Sequence, residues 1–65
     1  MNNDIKAYGN ITNALDKLDE VIDLLIKAQD SGCVPSEGAE GLAKAVACLS
    51  EAEILAGNVQ ADWNL

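Results

Sequence analysis

Apolar residues recur at three- and four-residue spacing through the first half of the chain. The members of this stripe are Ile11, Ala14, Leu15, Leu18, Val21, Ile22, Leu25 and Ala28. Such spacing follows the 3.6-residue helical period and predicts an amphipathic helix whose apolar side faces a core. Leu24 and Ile26 flank the stripe on opposite sides, so the helix is apolar around most of its circumference there. We therefore expect this helix to contact more than one neighbouring helix.

The first helix is predicted over about residues 4–30. Asn3 or Asp4 offers a cap for an early start, whereas Asn10 offers a later start beyond Gly9. The sequence favours the early start but leaves the first two turns open. Gly32 suits the left-handed position that ends many helices, so the helix is expected to stop there.

A second helix is predicted over about residues 37–56, after a connection at residues 31–36. Pro35 disfavours helix at the residue before it, and Ser36 is a suitable N-cap. Gly57 predicts the end of this helix and a short tail at residues 57–65, although Val59 and Trp63 continue the period and allow a longer helix. The predicted core face consists of Leu42, Ala45, Val46, Leu49, Ala52, Leu55 and Ala56.

These elements predict one all-α domain, residues 1–65, folded as an antiparallel two-helix hairpin. Two helices cannot enclose so wide a stripe, and a chain of 65 residues is marginal without a staple. We therefore expect the hairpin to self-associate as a homodimer or higher oligomer, with a four-helix bundle as the favoured form. The oligomer core is predicted to contain Ile11, Leu15, Leu18, Val21, Ile22, Leu25, Leu42, Val46, Leu49 and Leu55.

The charge balance narrows the possible partners. Eleven acidic residues against four lysines give a net charge of −7, which disfavours direct binding to nucleic acid or to an anionic membrane and suits a basic protein. The longest apolar run, residues 45–49, is far too short to span a membrane, and the N-terminal residues do not resemble a signal peptide. A cytoplasmic protein is expected, with Cys33 and Cys48 as reduced thiols.

No residue pattern predicts a catalytic, metal or cofactor site. The chain has no histidine and no Gly-rich phosphate loop, so an enzyme is not expected. The acidic group on the first helix is either a solvated outer face or a docking surface, and Trp63 either covers the apolar end of the hairpin, near Tyr8, or anchors a partner. A candidate partner surface therefore consists of Asp16, Asp19, Glu20, Asp23 and Trp63.

The predicted function is that of a small acidic, non-catalytic protein-interaction or regulatory module acting as a homo-oligomeric bundle. One special case is an inhibitor whose carboxylates mimic nucleic-acid phosphates on a basic partner. The alternative is a bundle that binds a small molecule in a pocket between hairpins. In size, charge and architecture the chain resembles small acidic helical proteins carried by bacteria and their phages, some of which inhibit host machinery. The resemblance includes no motif and implies no role for any single residue.

Overall fold

The computed structural model describes residues 2–63, which form two helices and no strand. Helix α1 spans Asn2–Asp30 and helix α2 spans Ser36–Ala61. The two helices pack side by side in an elongated hairpin with extents of 49 × 15 × 13 Å. The predicted all-α helical hairpin is thus confirmed over the described residues.

The connection between the helices is closed by hydrogen bonds around Ser31 and Gly32. Gly32 has φ +72°, a left-handed conformation that suits glycine because it has no Cβ. The Ser31 N–H donates to the Lys27 carbonyl at 3.1 Å, and the Ser31 hydroxyl donates to the Ala28 carbonyl at 2.6 Å. These bonds occupy carbonyls that the helix end leaves open. Gly32 therefore ends α1 as its sequence context predicts.

Helix α2 begins at Ser36, one residue earlier than predicted. Pro35, at φ −57° and ψ 144°, is the last residue before the helix, and no side chain caps it. The Pro35 carbonyl accepts the N–H groups of Gly38 and Ala39 at 2.8 and 3.1 Å. Ser36 is consequently the first residue of α2, and its predicted role as N-cap is wrong. The fixed φ of Pro35 already suits a chain entering a helix, so the turn is made one residue sooner.

Both helices are continuous through glycines that the sequence marks as breaks. Helix α1 passes through Gly9, and α2 passes through Gly57 to end at Ala61. The predicted end near Ala56 is therefore wrong, and the longer helix that Val59 and Trp63 allow is the one formed. A Cβ added at Gly57 would meet nothing within 4 Å. The added turn carries Gln60, which reaches back to α1, so contact across the hairpin outweighs the low helix propensity of Gly57.

The helices face each other along one line of positions in each. Every side chain of residues 3–63 keeps more than a small part of its surface in contact with solvent, so the hairpin has no fully buried core. The partly buried positions that repeat at helical spacing along the two facing sides are Ile11, Leu15, Leu18, Ile22, Leu25 and Gln29 of α1 and Leu42, Val46, Leu49, Glu53, Ala56 and Gln60 of α2.

Candidate interaction surfaces

Glu53 lies between the helices, close to the carboxyl group of the exposed Asp19. The 3-4 spacing of α2 runs through Glu53 between Leu49 and Ala56, and this position turns toward Asp19 of α1. A hydrogen bond with Asp19, together with loss of hydration and repulsion between the two carboxylates, raises the pKa of Glu53 above its usual range. Oε2 of Glu53 is buried without a hydrogen-bond partner. Two charged carboxylates oppose this contact, and protonation of Glu53 relieves the repulsion.

A polar clamp ties the end of α2 to the beginning of α1. The Gln60 side-chain amide donates to the Tyr8 carbonyl at 3.1 Å and to the Thr12 hydroxyl at 2.7 Å. The Thr12 hydroxyl in turn donates to the Tyr8 carbonyl at 3.2 Å. The apolar pattern predicts neither Gln60 nor Thr12 as a contact, because both side chains are polar. Helical spacing alone does indicate Gln60, which continues the 3-4 spacing of Glu53 and Ala56.

Trp63 packs on Tyr8 at the open end of the hairpin. The two ring centroids lie 5.8 Å apart with an interplanar angle of 88°, an edge-to-face arrangement favoured by aromatic pairs. Trp63 is partly buried by this contact. The aromatic pair therefore covers the end of the hairpin, which is one of the two roles that the sequence left open for Trp63.

The candidate partner residues lie in two parts of the hairpin, four acidic residues along α1 and Trp63 against Tyr8 at the open end. Asp16, Glu20 and Asp23 are exposed on α1, where Asp23 forms an ion pair with Lys27 at 3.0 Å. Asp19 turns toward Glu53, and Trp63 packs at the hairpin end. Asp19 is exposed as well but lies close to Glu53, so we call the other three exposed members, Asp16, Glu20 and Asp23, the acidic ridge.

An apolar face covers one broad side of the hairpin. Every member directly precedes a residue that packs between the helices, as Val21 precedes Ile22 and Leu55 precedes Ala56. One residue back is a rotation of about 100°, and in antiparallel helices the same rotation leads to the same side of the hairpin. We call this side the apolar face; it consists of Ala14, Val21, Leu24 and Ala28 of α1 and Ala45, Cys48, Ala52, Leu55 and Val59 of α2, all of them exposed.

The predicted oligomer core divides between two places in the single hairpin. Most of its members lie between the two helices, but Val21 and Leu55 are 43% and 58% exposed on the apolar face. Ala45 and Ala52, which the sequence also placed on the core face of α2, are exposed there too. Residues that directly follow the facing positions, such as Asp19 and Ile54, lie on the opposite broad side.

The described part of the chain offers little chemistry beyond these surfaces. Cys33 and Cys48 are both free and exposed. Residues 2–63 contain no group of three or more His, Cys, Asp or Glu side chains placed to hold a metal ion. Over the same residues, neither helix combines the length and the apolar character needed to cross a membrane.

Comparisons with known proteins identify no relative. No protein-family model matches the chain, and neither the curated proteins nor the solved structures contain a match.

Proposed function

We propose that this protein is a small acidic, non-catalytic interaction module that works as a homo-oligomeric helical bundle. In this proposal, copies of the hairpin associate first, and the assembled bundle presents its carboxylates to a basic protein. The bundle acts by occupying a site on that protein.

One observation carries this proposal: no side chain of residues 3–63 is fully buried, although large apolar side chains are plentiful. A domain of this size ordinarily relies on a buried core, a disulfide or a metal for its stability. Both cysteines are free, and apolar side chains remain in water over a broad side of the hairpin. Association with further chains supplies the burial that the single hairpin lacks.

The acidic ridge supports the choice of a basic partner. Asp16, Glu20 and Asp23 are exposed, and the whole chain carries a net charge of −7. A surface of this charge draws basic proteins by long-range attraction and repels acidic ones. Carboxylates spaced along a helix also offer a basic protein the kind of charge that it meets on nucleic-acid phosphates.

The oligomeric state is the first test of this proposal. Sedimentation equilibrium of the full chain over a hundredfold range of concentration should return a mass that is a multiple of 6.8 kDa. A mass equal to that of one chain throughout this range would refute the proposed assembly.

The partner requires a separate test that compares two variants. A positively charged DNA-binding protein, such as a histone-fold dimer, serves as a probe of charge, and its binding is followed by calorimetry at low and moderate salt. We expect binding that weakens with salt, that double-stranded DNA displaces, and that is lost when Asp16, Glu20 and Asp23 are replaced by Asn, Gln and Asn. Replacing Glu37, Glu40 and Glu51 by Gln removes the same charge elsewhere and serves as the matched control. An equal loss of binding in both variants would show that net charge alone causes binding, and would contradict a specific role of the acidic ridge.

A further inference from the structure

We infer that a second copy of this chain docks on the apolar face, so that two hairpins meet there, each covering the face of the other. This inference rests on the proposed homo-oligomer and specifies which surface forms it. Three features of the molecule support it: the area that the hairpin leaves exposed, the distribution of its charges, and the sizes of the side chains on the face.

The exposed area matches what one partner of a stable interface buries. The hairpin exposes 4935 Å², whereas a compact monomer of its mass exposes about 4,000 Å². The excess of roughly 900 Å² is close to the approximately 800 Å² that each partner contributes to a standard protein interface. The excess area goes with the elongated shape of the hairpin, whose radius of gyration is 15.1 Å against about 11 Å for a compact chain of this length.

The charges favour a second copy over a basic partner on this face. Each copy has a net charge of −7, so two copies repel unless their carboxylates stay apart. None of the residues that directly precede a facing position is acidic. Lys17, which precedes Leu18, lies on the same side and has a flexible stem that can carry its charge to solvent. Two copies can therefore meet here without bringing acidic side chains into contact. A basic protein would instead be attracted to the acidic ridge.

The apolar face combines small and large side chains. Ala14, Ala28, Ala45 and Ala52 let helix axes approach closely, while Leu24 and Leu55, 63% and 58% exposed, project from between them. Large side chains of one copy fit over small ones of the other, as ridges pack into grooves between helices. The resulting assembly is a four-helix bundle with the carboxylates on its outer surface.

Two adjacent residues provide the test by mutation. Leu55 lies on the apolar face and Ile54 on the opposite side, with exposures of 58% and 64% in the single hairpin. We expect Leu55→Glu to weaken self-association at least about tenfold, and Ile54→Glu to leave the sedimentation mass unchanged. Equal weakening by both substitutions, or by neither, would overturn the docking face while leaving self-association intact. A wild-type protein of single-chain mass would instead refute the proposed function itself.

The two thiols test the same face without any mutation, and so remain informative if Leu55→Glu does not fold. Cys33 lies in the connection and Cys48 on the apolar face, and both are exposed in the single hairpin. Under reducing conditions that keep the protein associated, we expect N-ethylmaleimide to modify Cys33 at least about tenfold faster than Cys48, with the Cys48 rate rising on dilution. Equal rates in the associated protein would show that the apolar face is not covered.

Discussion

At the scale of single residues, the carboxyl groups of Asp19 and Glu53 lie close together and repel each other when both are charged. The raised pKa of Glu53 means that the folded protein holds a proton more tightly than the unfolded chain does. The stabilising contribution of this pair is therefore full at acidic pH, and it is lost as the pH rises through the raised pKa. We therefore expect this pair to favour the folded hairpin more at mildly acidic pH than at neutral pH.

Glu53→Gln tests this pair directly. The substitution retains a side chain that can donate to Asp19 and removes the charge, so we expect higher stability than wild type at pH 7 and little difference near pH 4. Urea unfolding followed by circular dichroism at the two pH values measures the change. Glu51→Gln, at an exposed position of the same helix, is the control and should have a small effect at both pH values. An equal effect of Glu53→Gln at pH 4 and pH 7 would contradict a raised pKa of Glu53.

At the scale of the helices, Gly57 and Gly32 have opposite effects on stability, and replacing each by Ala distinguishes them. Gly57 is helical with open space around its Cα, whereas Gly32 has φ +72°. We expect Gly57→Ala to stabilise the protein by about 0.5–1 kcal/mol through helix propensity, and Gly32→Ala to destabilise it by about 1 kcal/mol because L residues rarely adopt that conformation. Thermal unfolding of both variants gives the comparison. A destabilising Gly57→Ala would mean that α2 ends near Ala56 after all.

The predictability of the fold differs between the two helices. The stripe of α1, from Ile11 to Leu25, and the stop at Gly32 have strong local signals, and these predict a long first helix and a connection. In α2 both the facing side and the apolar face carry Ala, Leu and Val, so hydrophobicity alone cannot tell which side meets α1. Glu53 and Gln60 hold facing positions that a rule based on apolar residues passes over. Their partners lie on the other helix, and the spacing of residues within one helix does not predict a contact between helices.

The candidate surface was predictable only in part for the same reason. Exposed acidic residues such as Asp16 and Glu20 follow from helical spacing along α1. The proximity of Asp19 to Glu53 joins residues some thirty positions apart in the chain, and the contact of Trp63 with Tyr8 depends on α2 continuing past Gly57.

At the scale of the whole molecule, salt separates the two kinds of association proposed here. Self-association through a face without acidic residues must overcome repulsion between copies of charge −7, and salt screens that repulsion. We expect the dissociation constant of the homo-oligomer to decrease by roughly a factor of two to ten when NaCl is raised from 50 to 500 mM. Binding of a basic partner to the acidic ridge should weaken over the same range. Dissociation of the homo-oligomer by salt would show that ion pairs hold the copies together and would contradict docking through the apolar face.

The antiparallel layout also sets an order in which the chain can fold. Contacts near the connection join residues close in sequence, whereas the Gln60–Thr12 hydrogen bond joins residues 48 positions apart, and closing the longer loops costs more entropy. Once Gly32 has reversed the chain, each further turn of the hairpin closes only a small additional loop, so the helices can join progressively from the connection toward the open end. In stopped-flow experiments at fixed protein concentration, we expect Gly32→Ala chiefly to slow folding and Gln60→Ala chiefly to speed unfolding. The fluorescence of Trp63, which docks at the far end on Tyr8, then reports the last step of this closure.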